Sequence, residues 1–324
     1  FNKIVVLKES TSNLDDISFF GNIDQIIAPI EVSINKESIF NNLMPDIIIT
    51  MGGMVISKKI KQFLRNYSPK KHYHVGFNIA KDTFFKDVEH LKLDPDLFFK
   101  QTLNNNINSS YNSVWMELSN KRKELHKKYI NNIPFSDLLV FSILSSRISS
   151  EYHIQVANSS PIRYLQLFDM NNYTMYSNRG TSGIDGSTST AVGYSVFNKN
   201  PTLLITGDLS FFYDTNGLWN DYINSDFRII IINNKGGGIF RILPGYKDDS
   251  IFSKFIETTH NLNAKYLAKM HGFIYQKKTT KITLKIALKS FFKKSNKPKI
   301  LEVETSSKLS SNILKNYFEY LSDS

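Results

Sequence analysis

The run Arg228-Ile229-Ile230-Ile231-Ile232-Asn233 constrains the fold more than any other stretch of the chain. Four consecutive isoleucines are apolar on both faces of an extended strand, so that strand must be covered on both sides. Strands of this kind belong to parallel sheets, where crossover helices supply the cover. The run is far shorter than the ~20 apolar residues a membrane span needs, and no other stretch approaches that length. Companion runs stand at Ile154–Ala157, Thr174–Tyr176, Thr202–Thr206 and Lys299–Val303. All but the last lead into turn residues and then a helix-period pattern. The expectation is an α/β chain whose ligands sit beyond the carboxyl ends of the strands, at a topological switch point.

The first half carries the same rhythm more faintly. Asp46–Thr50 reads as a strand, Met51-Gly52-Gly53 as its turn, Ile56–Tyr67 as a helix and His74–Phe77 as a second strand. Trp115–Tyr129 reads as a charged amphipathic helix joining two domains, with Pro134 at its far edge. A length of 324 residues fits two domains of roughly 150 each. The boundaries expected are 1–112, a linker helix over 113–133, and 134–324. Asn-rich Leu103–Ser113 and basic Ser295–Lys299 read as surface loops. The sequence opens on Phe1 inside the apolar run Ile4-Val5-Val6-Leu7, which reads as an interior strand. The chain is therefore expected to be a fragment or a processed product, with any targeting signal out of view.

Composition narrows the chemistry. The absence of cysteine excludes disulfides, thiolate zinc sites, iron–sulfur clusters and a cysteine nucleophile. Forty Lys and Arg against 29 Asp and Glu give a formal charge of +11, open to nucleic acid, an anionic membrane surface or anionic small substrates. The densest basic stretches, Lys121–Lys128 and Lys289–Lys299, alternate with helix-type or turn-type residues and lack an aromatic–basic stacking pattern. A lysine-rich solvated surface is the simpler reading, and nucleic-acid binding the lesser one. His72 and His74 have no third ligand nearby and read as a surface or strand-edge pair rather than a zinc site. No Gly-x-Ser-x-Gly elbow is present. Phe211, Phe212 and Tyr213 read as core or helix-packing residues.

Two loops carry the chemical signal. In Ser177–Ser187 the glycines 180, 183 and 186 recur at intervals of three before the helix-forming run Thr188–Val196. Such a loop can turn backbone N–H groups toward an anion, although a capped tight turn would look the same. It is neither a P-loop nor a Gly-x-Gly-x-x-Gly motif. The second signal is Gly207-Asp208 after one strand and Asn233-Asn234-Lys235-Gly236 after the next. Neighbouring strands lie ~4.8 Å apart, so the carboxylate and the amide can meet. Magnesium takes hard oxygen ligands in a near-octahedral shell completed by phosphate and water. Asp208 supplies charge, Asn234 a neutral carbonyl and Gly236 a backbone carbonyl. Either side chain alone would read as a cap; the pair at this spacing reads as a divalent-cation site.

Gly207-Asp208 with Asn233-Asn234 resembles the diphosphate-binding signature of the thiamine-diphosphate enzyme family. The stretches Ser177–Gly186 (SNRGTSGIDG), Gly207–Gly217 (GDLSFFYDTNG) and Asn233–Pro244 (NNKGGGIFRILP) are similar to its menaquinone-biosynthesis branch of carboligases. The resemblance is strongest over Asn158–Pro244 and looser before it. It implies a parallel-sheet thiamine-diphosphate-binding fold preceded by a truncated Rossmann-like central domain. It also implies a cytoplasmic transferase that decarboxylates 2-oxoglutarate and adds the resulting unit to isochorismate. The cofactors implied are thiamine diphosphate with Mg²⁺ or Mn²⁺, in a homodimer or homotetramer.

Residue by residue, the resemblance makes Asp208, Asn234 and Gly236 the metal ligands. It sets Gly207, Leu209 and Ser210 beside the diphosphate, with Ser182, Gly183 and Ile184 around the bent cofactor. Ser159, Arg163 and Arg179 match polar groups facing the substrates, and Ile239, Phe240 and Leu243 an apolar wall. Two-point Arg–carboxylate forks suit dianionic substrates, while a structural ion pair is the plainer role for each Arg. Gly52-Gly53 followed by Ser57-Lys58-Lys59 resembles a further substrate-contact motif, with Lys59 where Arg is commoner; a solvated helix start is the alternative for both lysines. The family's activating glutamate lies in a pyrimidine-binding domain that no stretch of this chain matches. No catalytic residue is therefore assigned, and the chain alone is expected to be inactive. The alternatives are another thiamine-diphosphate decarboxylase or carboligase, and a non-catalytic fragment that keeps the metal–diphosphate pocket.

Overall fold

A computed structural model describes residues 4–102, 109–243 and 245–322, so Phe1, Leu103 and Pro244 of the stretches above lie outside the described residues. The chain divides into two compact units, residues 1–127 with 318–324, and residues 128–317.

In the first unit the order is α1 (Ile23–Ile30), α2 (Lys36–Leu43), β1 (Ile47–Thr50), α3 (Lys58–Asn66), β2 (Lys71–Val75), β3 (Val88–Leu91), α4 (Pro95–Thr102) and α5 (Tyr111–Asn131), whose last turn enters the second unit. The three strands form a parallel sheet in the order β1-β2-β3. Helix α3 starts because Ser57 caps it, accepting the N–H of Ile60 at 3.1 Å, and Ile60, Phe63 and Leu64 repeat at helical spacing to form its buried stripe. That stripe meets Ile23, Ile26, Ile27 and Ile30 of α1, Phe40 of α2 and Trp115 of α5 in one core.

Four expectations are corrected here. Ile4–Leu7 builds no strand; only Leu7 bridges to Phe20. The strand expected at His74–Phe77 is Lys71–Val75, because Gly76 takes φ +140° and turns the chain away, leaving Phe77 exposed. His72 and His74 are buried on the middle strand rather than at a surface or edge, and one ring nitrogen of each, Nε2 of His72 at 3.0 Å and Nδ1 of His74 at 3.1 Å, approaches Oγ1 of Thr50. Residues 111–113, read as loop, open α5.

The second unit contains α6 (Asp137–Ser145), β4 (His153–Val156), α7 (Ser160–Leu165), β5 (Met175–Ser177), α8 (Ser187–Phe197), β6 (Thr202–Gly207), α9 (Asp208–Tyr213), β7 (Arg228–Asn233), α10 (Lys265–Met270), β8 (Ile274–Lys278), α11 (Lys281–Phe291), β9 (Lys299–Glu304) and α12 (Ser307–Ser322), whose end belongs to the first unit. Its six strands are parallel in the order β5-β4-β6-β7-β9-β8. All six residues of β7 are buried, as the isoleucine run requires. Arg228 at its start is buried too, and its guanidinium donates to the carbonyls of Phe291 at 2.8 Å and Lys293 at 3.1 Å, the open C-terminal end of α11. Of the aromatic trio, Phe211 is core, whereas Tyr213 faces solvent. Among the described residues no helix is long and apolar enough to cross a membrane.

The chain leaves β4 toward β5 on one side, then returns to lay β6 on the other. That reversal is the switch point, and the loops after β4, β5, β6 and β7 all emerge at the same carboxyl-end edge.

Candidate functional site

Asp208 is the first residue of α9, directly after β6, and Gly207 is in register with Ile232 of β7. Its carboxylate is buried and already held. Oδ1 accepts the N–H of Leu209 at 2.8 Å, Oδ2 accepts the N–H of Gly236 at 2.9 Å, and Nε2 of His260 lies 3.1 Å from Oδ2. The β6 and β7 loops are thus joined at one side chain.

Asn234, beyond β7, is oriented by a second carboxylate. Its Nδ2 donates to Oδ2 of Asp137 at 2.9 Å, which leaves the amide oxygen at the opposite end. The opposite atom, Oδ1, is buried without a hydrogen-bond partner. An unpaired buried carbonyl costs free energy unless another group takes it up. Asp137 itself is fully buried, and burial pushes its carboxyl above the usual carboxylate range against the hydrogen bonds from Thr305, Asn234 and Ser310.

The Asn234–Gly238 turn is tight. Lys235 has φ +67° and Gly236 φ +148°, and a Cβ on Gly236 would meet the backbone oxygen of Glu257 at 2.7 Å. Gly237 donates to that same oxygen at 2.6 Å, and the Gly236 carbonyl accepts from Gly238 at 3.0 Å. The Glu257 carboxylate accepts two bonds from Arg241, each 2.5 Å, and one from Ser307 at 2.8 Å. Ile239, Phe240 and Leu243 therefore stand on a turn anchored from beneath, Ile239 half-buried and the other two exposed. A cleft of about 490 Å³ opens beside Asn234 and is lined by Lys235, His260, Glu304 and Thr305 among others.

The loops after β4 and β5 are stapled by Asn158. Its Nδ2 donates to the carbonyls of Asn178 at 2.6 Å and Gly183 at 2.9 Å, and its Oδ1 accepts from Arg179 at 2.7 Å. Arg163 donates to the Ser159 carbonyl at 3.0 Å, and Ser159 sits at φ +69°, a conformation costly for a residue with a side chain. Ser182 also has positive φ, at +64°. Ser210 of α9 donates to the carbonyl of Ile184 at 2.6 Å, tying the glycine loop to the helix that begins with Asp208.

The structure thus brings Asp208, Asn234 and Gly236 together and links Ile184 to Ser210 and Arg179 to the β4 loop. Lys58 and Lys59 lie in the first unit at the start of α3, Lys58 exposed and Lys59 paired with Glu31. Sequence reasoning assigned no role to Asp137, Asn158, Glu257 or His260. Asp137 reads only as an acid in a first helical turn, and Glu257 and His260 lie outside any motif. Asn158 alone had a signal, its place just past a strand.

The oxygens of Asp208, Asn234 and Gly236 stand at the carboxyl ends of neighbouring parallel strands, the edge of an open α/β sheet where ligands bind. No protein-family model matches the chain. Curated relatives do: it is 48% identical over 321 residues to the 2-succinyl-5-enolpyruvyl-6-hydroxy-3-cyclohexene-1-carboxylate (SEPHCHC) synthase of Christiangramia forsetii, covering 98% of this chain and 56% of the relative. It is 45% identical over 321 residues to the synthase of the same name from Flavobacterium psychrophilum, again covering 98% of this chain and 57% of the relative. For that of Porphyromonas gingivalis the figures are 34% over 335 residues, 99% of this chain and 57% of the relative. The resemblance carried by the loop motifs therefore extends along essentially the whole chain, which spans little more than half the length of the curated relatives it matches.

Proposed function

We propose that this chain forms the diphosphate-binding part, with some of the central domain, of a thiamine-diphosphate-dependent carboligase that makes SEPHCHC from 2-oxoglutarate and isochorismate. The observation that carries the reading is Asn234 Oδ1, buried and unpartnered beside the Asp208–Gly236 contact. A divalent cation supplies the missing partner. The likeness to the named synthases supports the same reading. In it, residues 134–324 are the diphosphate-binding domain, 113–133 a linker helix and 1–112 a Rossmann-like central domain.

Asp208, Asn234 Oδ1 and the Gly236 carbonyl would hold Mg²⁺ or Mn²⁺, whose charge would offset that of the diphosphate. Gly207, Leu209 and Ser210 line the diphosphate, and Ser182, Gly183 and Ile184 border the organic part of the cofactor. Ile184 is 37% exposed, an apolar side chain presented by a loop that Ser210 and Asn158 fix. When bound, thiamine diphosphate supplies the carbon nucleophile and the electron sink for decarboxylation. Ser159, Arg163 and Arg179 orient the substrate carboxylates, and Ile239, Phe240 and Leu243 exclude water beside them. Residues that position and neutralise charge are what the chain contributes; activation of the cofactor needs the longer chain of the relatives. The protein works in the cytoplasm as a homodimer or homotetramer.

Product formation from 2-oxoglutarate and isochorismate is the test. A protein extended to the relatives' full length should form SEPHCHC, and Arg163→Lys or Arg179→Lys should lower kcat/KM for the substrates while leaving thiamine-diphosphate affinity unchanged. An extended protein that binds the cofactor and turns over neither substrate would overturn the reading.

A further inference from the structure

Asp137 is assigned no contact with a ligand itself, yet its hydrogen bond to Asn234 fixes the one atom on which the metal reading depends. We infer that Asp137 is a positioning residue: its carboxylate locks the Asn234 amide so that oxygen, and never nitrogen, faces the cation. The inference rests on the metal–diphosphate reading and deepens it.

A free asparagine amide can turn over at little cost, presenting NH₂ or C=O to the same point. Only the oxygen can ligate a hard cation. Asp137 removes the choice. Its side chain is wholly enclosed at the start of α6, and each oxygen has a set partner: Oδ1 accepts from Thr305 Oγ1 at 2.5 Å and Oδ2 from Asn234 Nδ2 at 2.9 Å. The backbone N–H of Asp137 donates to Ser310 Oγ at 3.0 Å, so the residue is tied at both ends. A flipped Asn234 would aim its carbonyl at a buried carboxylate and lose the bond. Helices α6 and α12 and the residue just past β9 thereby set one amide on the loop after β7. Groups that orient a metal ligand from behind typically alter metal affinity 10–100-fold.

The test is Mn²⁺ affinity in the presence of thiamine diphosphate, read from the electron paramagnetic resonance of free Mn²⁺, with thermal unfolding followed in parallel on the complete chain. The wild type binds Mn²⁺. Asp137→Leu, close in size and unable to accept, is expected to weaken binding by about tenfold or more. Asp137→Asn can still accept from Asn234 through its own oxygen while donating to Thr305, and is expected to stay within about threefold of wild type. Wild-type affinity in Asp137→Leu would overturn the inference. So would equal losses in Leu and Asn variants, because the carboxylate would then act by its charge rather than by orienting the amide. If Asp137→Leu does not fold, Thr305→Val takes its place: freeing one carboxylate oxygen should weaken Mn²⁺ binding severalfold, and unchanged binding overturns the inference. A wild type that binds no Mn²⁺ with thiamine diphosphate fails before any variant is compared, which removes the metal reading itself.

Discussion

The backbone N–H of Gly236 and Oδ2 of Asp208 lie 2.9 Å apart, a bond between the loops that follow two neighbouring parallel strands. It aligns the turn whose carbonyl and neighbouring side chain complete the hard-oxygen set. The turn can reach Asp208 only because residue 236 has no side chain.

Gly236→Ala should therefore be costly. The new Cβ would sit 2.7 Å from the Glu257 oxygen at φ +148°, so either the turn or the residue 252–257 segment must shift. A stability loss of about 2 kcal/mol or more is expected from the strain alone. Gly193→Ala, at an exposed position of helix α8, has open space around it and should instead add roughly 0.5–1 kcal/mol. Denaturant midpoints of the two variants, compared with wild type, check the contrast; equal effects would show that residue 236 is not conformationally constrained.

Arg241 and Glu257 form a buried pair beneath the Ile239–Leu243 segment, with side-chain exposures of 9% and 0%. Arg241→Met would leave the Glu257 charge buried without its cation, at a cost of about 3–5 kcal/mol. Adding Glu257→Gln to that variant should recover part of the loss. Chemical denaturation of the two single variants and the double variant gives the coupling directly, and strictly additive effects would contradict it.

Acid should loosen the first unit. Burial pushes His126 down to about 4, and burial also lowers His72 and His74. These groups are neutral in the folded unit and bind protons more readily once unfolded, near 6.5. Their contribution is fully present above about pH 6.5 and is lost as pH falls toward 4. For His126 the loss amounts to up to about 3 kcal/mol. His126→Gln keeps a polar group beside Gln25 and should flatten the decline between pH 6.5 and 4 in unfolding experiments. An unchanged slope would mean that His126 does not carry it.

Phe197 is 90% exposed and Trp219 81%, on the end of α8 and the turn that packs against that helix. They are the two most exposed aromatics among the described residues, and packing them against a second copy would remove apolar surface from water. Sedimentation should show self-association of the protein, reduced in Phe197→Ser/Trp219→Ser at the same concentration. A double variant that sediments as wild type would assign the interface elsewhere.

Much of the second unit was legible because its strands are all-apolar and their ends carry the ligand-type residues. Arg228–Asn233 needed no tertiary information, since no other environment suits four isoleucines. Ile274–Lys278 escaped notice because an edge strand can be polar. The first unit read less well: His72 and His74 look like surface residues until Thr50 and two flanking strands enclose them. At the candidate site, the residues proposed as ligand contacts stand in motifs, whereas those that hydrogen-bond to them do not. Asp137 is 97 residues from Asn234 and Glu257 lies 16 beyond Arg241, so only the fold shows that they meet.

The metal–diphosphate site is tested most directly by titration calorimetry of thiamine diphosphate with and without Mg²⁺, on the wild type and on Asp208→Ala. Binding that requires Mg²⁺ in the wild type and disappears in a folded Asp208→Ala is the expected result. Equal cofactor affinity in both proteins, or affinity indifferent to Mg²⁺, would contradict the assignment of Asp208, Asn234 and Gly236.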